Sequence, residues 1–210
     1  QRQMCIRDRY KDRMNKIEQG CKRSVDFVIA ACCLVVFSPL ALVCALAIRK
    51  EDGLPVIYKQ ERIGLHGKPF YIYKFRSMRI DAEKDGPDLL EIKGDPRLTK
   101  VGRFLRAHHL DELPQLWNVF KGDMAFIGPR PERKFYIDQI MEHDSRYQYL
   151  YQIRPGVTSY ATLYNGYTDT MEKMLRRLEL DLYYLEHRSW WFDAKILLKT
   201  FCNIVFGKKF

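Results

Sequence analysis

The sequence predicts an α/β protein: a small mixed α/β domain carried on a re-entrant membrane helix hairpin, with amphipathic helices that lie in the membrane interface. Three observations in the 210 residues support this prediction. One long apolar run lies near the start of the chain, short β-forming segments alternate with helical patterns after it, and the last segment mixes tryptophan, phenylalanine and lysine. The length after the run is enough for one domain of ordinary size with its own core.

The first nine residues do not resemble a natural chain start, and we expect them to be a cloning, sequencing or gene-prediction scar. The chain then divides into an N-terminal tail at residues 1–19, a membrane anchor at 20–50 and a further domain at 51–210. The absence of an initiator methionine leaves open the loss of a native N-terminal region.

The apolar run extends from Val25 to Ile48 and is interrupted only by Asp26 near its start and by Ser38-Pro39 in its middle. As a helix at about 1.5 Å per residue, roughly 24 residues would reach about 36 Å, enough to cross a hydrocarbon core of about 30 Å. Basic residues, which prefer the cytoplasmic side, flank the run on both sides. They are Lys11, Arg13, Lys16, Lys22 and Arg23 before it, and Arg49, Lys50, Lys59 and Arg62 after it.

A segment that enters and leaves by the same membrane face would keep both basic clusters on the cytoplasmic side, provided that it can bend. Pro39 removes a backbone donor and clashes with the preceding turn, and the hydroxyl of Ser38 can bond a carbonyl that the proline frees. We therefore predict a re-entrant helix-break-helix hairpin with its break at Ser38-Pro39. A kinked single-pass helix is the alternative.

The net charge of +10 favours anionic lipid headgroups, phosphorylated substrates or nucleic acid as partners. Nucleic acid is the weakest of the three, because the basic residues are dispersed and no nucleic-acid-binding signature is present, and we expect none to bind. Three of the six cysteines, Cys32, Cys33 and Cys44, lie inside the apolar run, and no CxxC spacing indicates a zinc or redox site. A reduced domain facing the cytoplasm is the expectation.

Two short strands are predicted after the anchor, at Val56–Gln60 and Phe70–Lys74, on either side of a turn at Gly64–Pro69. The stretch Asp81–Pro96 is polar and is broken by Gly-Pro and Gly-Asp-Pro, which predicts a surface loop able to cover a site. A short basic helix is predicted at Val101–His108.

The segment from Leu110 to Glu132 is the most informative in the chain, because it begins with the adjacent carboxylates Asp111 and Glu112. We predict that Asp111 is the N-cap of a short helix, with Pro114 in its first turn and Gly122 at its end. A carboxylate and an incoming phosphate would both face free backbone N–H groups there.

The same segment ends in a Gly/Pro-rich turn that carries Arg130, and the preceding basic helix would bring Arg106 within reach of the carboxylates. An ordinary amphipathic helix with an acidic first turn is the alternative, because four apolar residues have the spacing of one buried face. These four are Leu113, Leu116, Trp117 and Phe120.

Toward the C-terminal end we predict a helix at Pro131–Glu142, a sharp turn at Arg154–Thr158, and a helix whose apolar stripe belongs to the core. The stripe consists of Met171, Met174, Leu175, Leu178, Leu182 and Leu185. The last segment has the mixture expected of a helix in the membrane interface, and a core helix with a solvated basic face is the alternative. Its members are Trp190, Trp191, Phe192, Ile196, Leu197, Phe201, Phe206, Lys195, Lys199, Lys208 and Lys209.

From Lys22 to about Phe206 the chain resembles the bacterial sugar transferase family, the monotopic phosphoglycosyl transferases. The resemblance is specific because several unusual elements occur in the family's order. They are Lys22-Arg23, Ser38-Pro39, QERIG at Gln60 to Gly64, KFRSM at Lys74 to Met78, DPRLTKVGRFLR at Asp95 to Arg106, LDELPQLWNVFKGDM from Leu110, GPRPE at Gly128 to Glu132, and RPGVT at Arg154 to Thr158. Residues 20–206 would then form one domain of this family.

The resemblance implies transfer of a sugar 1-phosphate from a UDP-sugar to polyprenyl (undecaprenyl) phosphate. This reaction releases UMP and initiates the assembly of an exopolysaccharide, capsule, O-antigen or glycoprotein glycan. The resemblance also implies a covalent aspartyl-phosphosugar intermediate. The expected location is the bacterial inner membrane, in contact with its lipids and with the catalytic domain facing the cytoplasm, and a homodimer stays open.

By the same resemblance, Asp111 is the nucleophile, and Glu112 is the neighbouring carboxylate that helps to place the metal or to manage a proton. The expected metal is Mg²⁺, held by both carboxylates, because it prefers oxygen ligands and keeps substrate phosphates among them. Arg106 and Arg130 match the family's phosphate-binding arginines, and planar guanidinium groups suit a diphosphate.

Other residues near this pair have two interpretations. Lys74 and Arg76 contact the nucleotide, or they are ordinary surface or structural charges. Asp123 is a second metal-side carboxylate or a turn residue, and we favour the turn. His108 and His109 are expected at the edge of the site and not as metal ligands.

Ser159 stands where the family commonly has glycine after the Pro-Gly-aliphatic-Thr turn, a departure that bears on the local loop and the sugar contacts but not on the chemistry. Larger relatives carry an N-terminal transmembrane bundle, so the chain is either the small form or a fragment. Two other classes stay open. A metal-dependent membrane glycosyltransferase would release UDP, but DxD-type spacing is absent around Asp111. A non-enzymatic basic membrane adaptor would not need the carboxylates and arginines.

Overall fold

A computed structural model of the chain describes residues 10–80, 82, 95–166, 168 and 170–205, with side chains up to residue 203. Three predictions concern residues outside this description: the scar at the first nine residues, most of the surface loop, and the last aromatic and basic residues of the C-terminal segment. The last group consists of Phe206, Lys208 and Lys209.

The anchor consists of two helices with a bend between them. Helix α1 (Lys16–Val36) and helix α2 (Ser38–Asp52) meet at Phe37, where the chain bends by 59°. Helix α1 begins with a capping box, in which the side chains of Asn15 and Glu18 each bond the other residue's backbone N–H. The start of α1 is therefore fixed by local hydrogen bonds.

The bend has the predicted chemistry. Pro39 lies in the first turn of α2 and cannot donate to the carbonyl of Val35, four residues earlier. The hydroxyl of Ser38 donates to that carbonyl instead, at 2.8 Å. The predicted break is thus confirmed, and the helices separate one residue before Ser38.

In the described part of the chain, no single helix is both long enough and apolar enough to cross a membrane. Helices α1 and α2 taken together have the required length and apolar composition. Large apolar side chains of both helices, and of the bend, are exposed. They include Val25, Phe27, Val28, Ile29, Val35, Val36, Phe37, Leu40, Leu42, Val43 and Leu46.

A two-stranded hairpin follows the anchor. Strand β1 (Ile57–Ile63) pairs antiparallel with strand β2 (Pro69–Phe75), and a short 3₁₀ turn (Leu65–Gly67) lies between them. Both predicted strands and the turn are confirmed. The strands are longer than predicted, because the pairing continues along all seven residues of each.

The next elements lead to the predicted carboxylates. Helix α3 (Lys100–Ala107) confirms the short basic helix, and the hydroxyl of Thr99 caps its N-terminus. A 3₁₀ turn (Leu110–Glu112) and helix α4 (Gln115–Lys121) follow. As predicted, α4 ends at Gly122, which has a φ of 95° that glycine adopts readily.

A second, parallel pair of strands was not predicted. Strand β3 (Ala125–Ile127) pairs with strand β4 (Gly156–Thr158), so the predicted sharp turn at Arg154–Thr158 is wrong over its last three residues. The backbones approach closely: a Cβ on Gly128 would lie 2.2 Å from a backbone oxygen, and one on Gly156 would lie 2.1 Å from the nitrogen of Gly128. This long-range contact outweighs the local turn propensity of Pro-Gly.

Four helices and a 3₁₀ segment complete the described chain. They are α5 (Lys134–His143), a 3₁₀ segment (Ser145–Gln152), α6 (Tyr160–Asn165), α7 (Met171–His187) and α8 (Trp190–Val205). Helix α5 begins three residues later than predicted, and Arg133, which directly precedes it, is extended.

The main apolar core lies among α5, the 3₁₀ segment, α7 and α8. The predicted stripe of α7 belongs to it, since Met174, Leu178, Leu182 and Leu185 are buried. A smaller cluster joins α1, β2 and α4. The helix that follows the predicted carboxylates is therefore packed between the anchor and the hairpin.

Helix α8 has one buried and one exposed face. Ile196 is buried, whereas Trp191, Leu198 and Phe201 are exposed. Lys195 lies over the ring of Trp191, with its Nζ 5.4 Å from the ring centre. The outer face thus combines apolar and basic side chains, the mixture on which the prediction of an interface helix rests.

Both ends of the anchor are attached to this domain. Near the start of α1, Lys22 forms a buried ion pair with Asp193 of α8 at 2.6 Å, and Tyr184 donates to the same carboxylate at 2.7 Å. At the end of α2, Arg76 donates to the carbonyl of Asp52 at 2.7 Å and pairs with its carboxylate at 3.2 Å.

Candidate active site

The predicted catalytic pair lies in the 3₁₀ turn before α4. His109 leads into this turn with φ 54° and ψ 20°, a left-handed conformation that is uncommon for a residue with a side chain. The prediction that Asp111 is an N-cap is wrong, because α4 begins only at Gln115 and Pro114 stands at the cap position. The reason is the tighter local winding: the N–H of Leu113 bonds to the carbonyl three residues earlier, at 3.2 Å.

Helix α4 does not bury the apolar face that its spacing predicts. Gln115, Asn118 and Val119 are buried, whereas Trp117 is 46% exposed. Asn118 explains the difference, because its side chain bonds to backbone groups of β2 at 3.1 and 2.7 Å. In the sequence, the only indication of this contact is a polar residue, Asn118, within an apolar pattern. This contact fastens α4 to the strand that carries Lys74.

The two carboxylates have different environments. Lys74 Nζ lies 2.6 Å from Glu112 Oε1. Burial raises the pKa of Glu112, but the charges of Lys74 and Arg130 outweigh it and bring the pKa to about 2. Asp111 is buried, and burial together with the charge of Glu112 raises its pKa, although Lys74 and Arg106 partly offset this rise. Glu112 is therefore ionised at neutral pH, and Asp111 is the more basic carboxylate.

Arg106 acts on this pair from α3. Its Nε donates to the hydroxyl of Ser77 at 3.1 Å, and its charge lowers the pKa of Asp111. A close backbone contact fixes α3 here, since a Cβ on Gly102 would lie 1.9 Å from the carbonyl oxygen of Ser77. Neither Ser77 nor Gly102 was predicted to have a role, although both lie in motifs of the family.

Arg130 acts on the pair from the turn after β3. Its charge lowers the pKa of Glu112, which places it within electrostatic range of that carboxylate. The turn also carries Glu132, which pairs with Arg177 at 3.0 Å and with Arg62 at 3.4 Å. None of the last three residues was predicted to belong to the site.

The remaining predicted residues lie in other surroundings. Arg76 is buried at the end of α2, a placement that fits the structural interpretation of this charge. His108 is exposed, and its ring centre lies 4.3 Å from that of Phe104. Asp123 pairs with Lys121 at 2.8 Å, as a turn residue would. His109 lies at the edge of the pair, since its charge lowers the pKa of both carboxylates. The structure therefore gathers Asp111, Glu112, Lys74, Arg106 and Arg130, with His109 beside them.

The pair of carboxylates is the part of this site that could hold a metal. Among the described residues, no group of three or more His, Cys, Asp or Glu side chains has the arrangement of a complete metal site. Mg²⁺ binds proteins through one or two carboxylates when substrate phosphates and water supply its other ligands. The donor set of Asp111 and Glu112 therefore fits Mg²⁺ shared with a phosphorylated substrate.

The gathered residues define a chemical capacity. A buried carboxylate of raised pKa can attack an electron-poor centre, provided that the negative charge around that centre is reduced first. Two guanidinium groups and an ammonium group lie within electrostatic range of the carboxylates to reduce it. The arrangement suits attack by an aspartate on a phosphoryl group.

Comparisons with known proteins bear on this site. The family model described as "Bacterial sugar transferase" matches residues 17–207. The chain is 44% identical over 182 residues to a UDP-glucose:undecaprenyl-phosphate glucose-1-phosphate transferase of Caulobacter vibrioides. The aligned region covers 85% of the chain and 67% of that relative. The chain is also 40% identical over 193 residues to a protein of the same name from Escherichia coli. Here the aligned region covers 91% of the chain and 41% of the relative.

A relative of different sugar specificity is equally similar. The chain is 39% identical over 186 residues to the UDP-N-acetylgalactosamine-undecaprenyl-phosphate N-acetylgalactosaminephosphotransferase of Aeromonas hydrophila. The aligned region covers 89% of the chain and 44% of the relative. The chain thus spans less than half the length of the relatives from Escherichia coli and Aeromonas hydrophila.

Proposed function

The chain belongs to the bacterial sugar transferase family, and on that premise we propose that it transfers a sugar 1-phosphate from a UDP-sugar to polyprenyl (undecaprenyl) phosphate and releases UMP. One observation carries the proposal: the buried carboxylate of Asp111 adjoins Glu112, and Lys74, Arg106 and Arg130 act on this pair. The names of the three relatives describe reactions of the same class.

In the first step, the carboxylate of Asp111 attacks the phosphorus that bears the sugar. The bond between that phosphorus and the bridging oxygen breaks, UMP leaves with this oxygen and its electron pair, and an aspartyl-phosphosugar forms. Arg106 and Arg130 bind the diphosphate and offset the charge that would repel an anionic nucleophile.

In the second step, a phosphate oxygen of polyprenyl phosphate attacks the same phosphorus. The bond from phosphorus to the Asp111 oxygen breaks, the carboxylate is restored, and polyprenyl diphosphate sugar leaves. Because burial raises the pKa of Asp111, this carboxylate is more basic than an exposed one, which favours its attack in the first step.

Mg²⁺ is the proposed cofactor, and Asp111 and Glu112 are the residues that would hold it. When bound, it supplies positive charge to the diphosphate and to the departing UMP. Because the pKa of Glu112 is about 2, this side chain remains an anionic oxygen donor at any physiological pH. Lys74 orients it through their 2.6 Å contact.

The anchor is proposed to be a re-entrant hairpin in the bacterial inner membrane, with the domain on the cytoplasmic face. Support comes from the 59° bend and from the exposed apolar side chains of both helices. The contacts of Lys22 with Asp193 and of Arg76 with Asp52 attach the two ends of the helix pair to the same domain. A segment that crossed the membrane would place these ends on opposite faces.

Thiol labelling tests this topology. Cys21 is exposed in α1, close to the domain. A membrane-impermeant maleimide added to intact cells from the periplasmic side is expected to leave Cys21 unlabelled, and the same reagent should label it after the membranes are opened. Labelling in intact cells would contradict the re-entrant hairpin and favour a single crossing.

Nucleotide release tests the reaction. Detergent-solubilised protein is incubated with a panel of UDP-sugars, Mg²⁺ and undecaprenyl phosphate, and UMP is separated from UDP. We expect UMP that depends on the lipid phosphate and is lost on addition of EDTA. Release of UDP would point to a metal-dependent glycosyltransferase, and release of neither nucleotide would favour the non-enzymatic adaptor.

A further inference from the structure

Behind Arg130 lies a buried ionic network that the proposed reaction does not use. Arg62 from β1, Glu132 from the Arg130 turn, and Arg177 and Asp181 from α7 form it. The first three side chains are at most 17% exposed, and Asp181 is 2% exposed. Burial of a charged group costs free energy unless the group is paired or hydrogen-bonded. The contacts of these four side chains therefore show which parts of the structure they stabilise.

The network binds the residues that directly follow Arg130. The two carboxylate oxygens of Glu132 accept from Arg177 at 3.0 Å and from Arg62 at 3.4 Å. Arg62 also donates to the carbonyl of Pro131 at 3.2 Å, and the N–H of Ile63 donates to the carbonyl of Glu132 at 3.2 Å. The C-terminal half of the turn is therefore held through both its backbone and its side chain.

Asp181 acts on Arg130 at the backbone. The backbone N–H groups of Ala161 and Arg130 lie near its carboxyl group and lower the pKa of that group. Burial raises the pKa of this carboxyl to about 8, against the opposing charge of Arg177. The Oδ1 atom has no hydrogen-bond partner among the described residues. The charge of Arg177 and the two backbone N–H groups thus partly compensate for the burial of this group.

The guanidinium of Arg130 is coupled electrostatically to both sides of the turn. It lowers the pKa of Arg62 and of Arg177 in the network, and it lowers the pKa of Glu112 in the catalytic pair. The turn that carries Arg130 therefore lies between the ionic network and the two carboxylates.

We propose that Arg177 and Asp181 are positioning residues for the Arg130 turn, which hold its backbone so that the guanidinium of Arg130 meets the diphosphate of the sugar donor. This inference rests on the proposed function. Neither residue is assigned a contact with the substrate, and both act through Arg130. Helix α7, whose sequence predicts only a packing helix, would then support the phosphate-binding side of the site.

Four substitutions separate this role from a general effect on packing. Asp181→Leu removes the carboxyl group beside the Arg130 N–H but keeps a side chain of similar size, whereas Asp181→Asn keeps an acceptor oxygen and resembles the protonated carboxyl. Arg177→Met removes the pair with Glu132. Arg176→Met is its matched control on the same helix, because among the described residues Arg176 pairs with the exposed Glu179 alone and is itself 64% exposed.

Hydrogen–deuterium exchange of the full chain in detergent measures the turn directly. The amides of Gly128, Arg130 and Glu132 are expected to exchange at least about tenfold faster in Asp181→Leu and Arg177→Met, since their opening is no longer opposed by α7. Exchange in Asp181→Asn and Arg176→Met should match that of the wild type. Wild-type exchange of this turn in both Asp181→Leu and Arg177→Met would overturn the proposal.

Steady-state kinetics of UMP release measure the consequence. In Asp181→Leu and Arg177→Met the KM for the UDP-sugar is expected to rise about tenfold, with a smaller fall in kcat, because a displaced arginine loses contact with the donor. Asp181→Asn and Arg176→Met should stay within about twofold of the wild type. Unchanged KM beside faster exchange would overturn the proposal.

The two measurements keep this inference apart from the proposed function. If the wild-type protein releases no UMP, the proposed function fails, and the exchange data still decide whether α7 holds the turn. If Asp181→Leu does not fold, the comparison of Arg177→Met with Arg176→Met decides the outcome by both measurements.

Discussion

The Asp111 turn and the Arg130 turn belong to one site, but different kinds of contact hold them. The Asp111 turn is wound by backbone hydrogen bonds between residues three apart, after the left-handed His109. The Arg130 turn is held by contacts with distant parts of the chain. These are backbone hydrogen bonds to β1 and β4, and ion pairs of Glu132 with Arg177, 45 residues away, and with Arg62, 70 residues away.

This difference separates chemistry from positioning. Substituting a carboxylate in the Asp111 turn leaves the backbone bonds that form the turn in place, so the change should affect the reaction alone. Substituting a member of the ionic network leaves the reacting groups intact but releases the turn that carries Arg130. Substitutions of the carboxylates in the Asp111 turn should thus reduce activity without a loss of stability. Substitutions that release the Arg130 turn should instead weaken substrate binding.

The largest expected effect is that of Asp111→Asn. We expect UMP release to fall by at least about a thousandfold, because the amide cannot form the aspartyl-phosphosugar. The melting temperature should stay within about 2 °C of the wild type, since the turn keeps its backbone bonds and the change is isosteric. Nucleotide release and a thermal unfolding scan check the two parts.

The matched control for this substitution is Asp138→Asn, which changes a carboxylate that is 54% exposed and paired with Lys134 on α5. It should keep full activity. Turnover of Asp111→Asn near the wild-type rate would remove Asp111 as the nucleophile, and a large loss of stability would show that the carboxylate itself holds the turn.

The next effect concerns the support of Arg106 and compares two glycines. A Cβ on Gly102 would lie 1.9 Å from the carbonyl oxygen of Ser77, whereas one on Gly20 would meet nothing within 4 Å. Gly102→Ala should lower the free energy of unfolding by about 1–3 kcal/mol and reduce activity, because α3 must move away from the carboxylates. Gly20→Ala should raise the free energy of unfolding by about 0.5–1 kcal/mol, since glycine is a poor helix former.

Urea unfolding in detergent, followed by fluorescence, measures both glycine variants. Equal stability of Gly102→Ala and the wild type would mean that α3 is not fixed by its contact with Ser77. The support of Arg106 would then depend on its side-chain contacts, as that of the Arg130 turn does.

Local patterns explain which parts of the structure the sequence could predict. The strands around Gly64, the basic helix with Arg106 and the adjacent carboxylates each depend on residues close in sequence, so their periodicity or spacing is visible directly. The parallel pairing of β3 with β4 depends on the approach of Gly128 to Gly156. No local pattern records such a contact, and the Pro-Gly sequence instead indicates a turn.

The sequence of α7 contains one indication of the ionic network. On α7, Arg177 and Asp181 fall at the same helical spacing as Met174, Leu178 and Leu185, so two charged residues share the face that we assigned to the core. A charged pair on an apolar face indicates buried partners elsewhere in the chain. The identity of those partners depends on the tertiary fold and could not be read from the spacing.

The third effect is a pH dependence of stability caused by Asp181. Burial raises the pKa of this carboxyl from 3.8 to about 8, so the folded state keeps a proton that the unfolded state releases. The resulting stabilisation is complete below the unfolded pKa and is lost as the pH rises through the folded pKa. Between pH 6 and 7 the wild type should lose about 1 kcal/mol relative to Asp181→Asn, which cannot ionise.

Urea unfolding of both proteins at several pH values checks this prediction, and Asp138→Asn should follow the wild type. Parallel stability curves for the wild type and Asp181→Asn would show that the carboxyl of Asp181 titrates at an ordinary pKa. The network would then hold two carboxylates and two arginines, and Asp181→Asn would no longer resemble the native carboxyl group.

The smallest effect sharpens the comparison from the Asp111 side. Ser77→Ala removes the hydroxyl that accepts from Arg106 at 3.1 Å but leaves the backbone contact with Gly102. A hydrogen bond contributes about 0.5–1.5 kcal/mol net, so the KM for the UDP-sugar should rise only about threefold. Ser24→Ala is the control, since that hydroxyl is exposed and bonds within α1. If Ser77→Ala raised the KM more than Arg177→Met does, both arginines would depend on side-chain contacts, and the two sides of the site would be held alike.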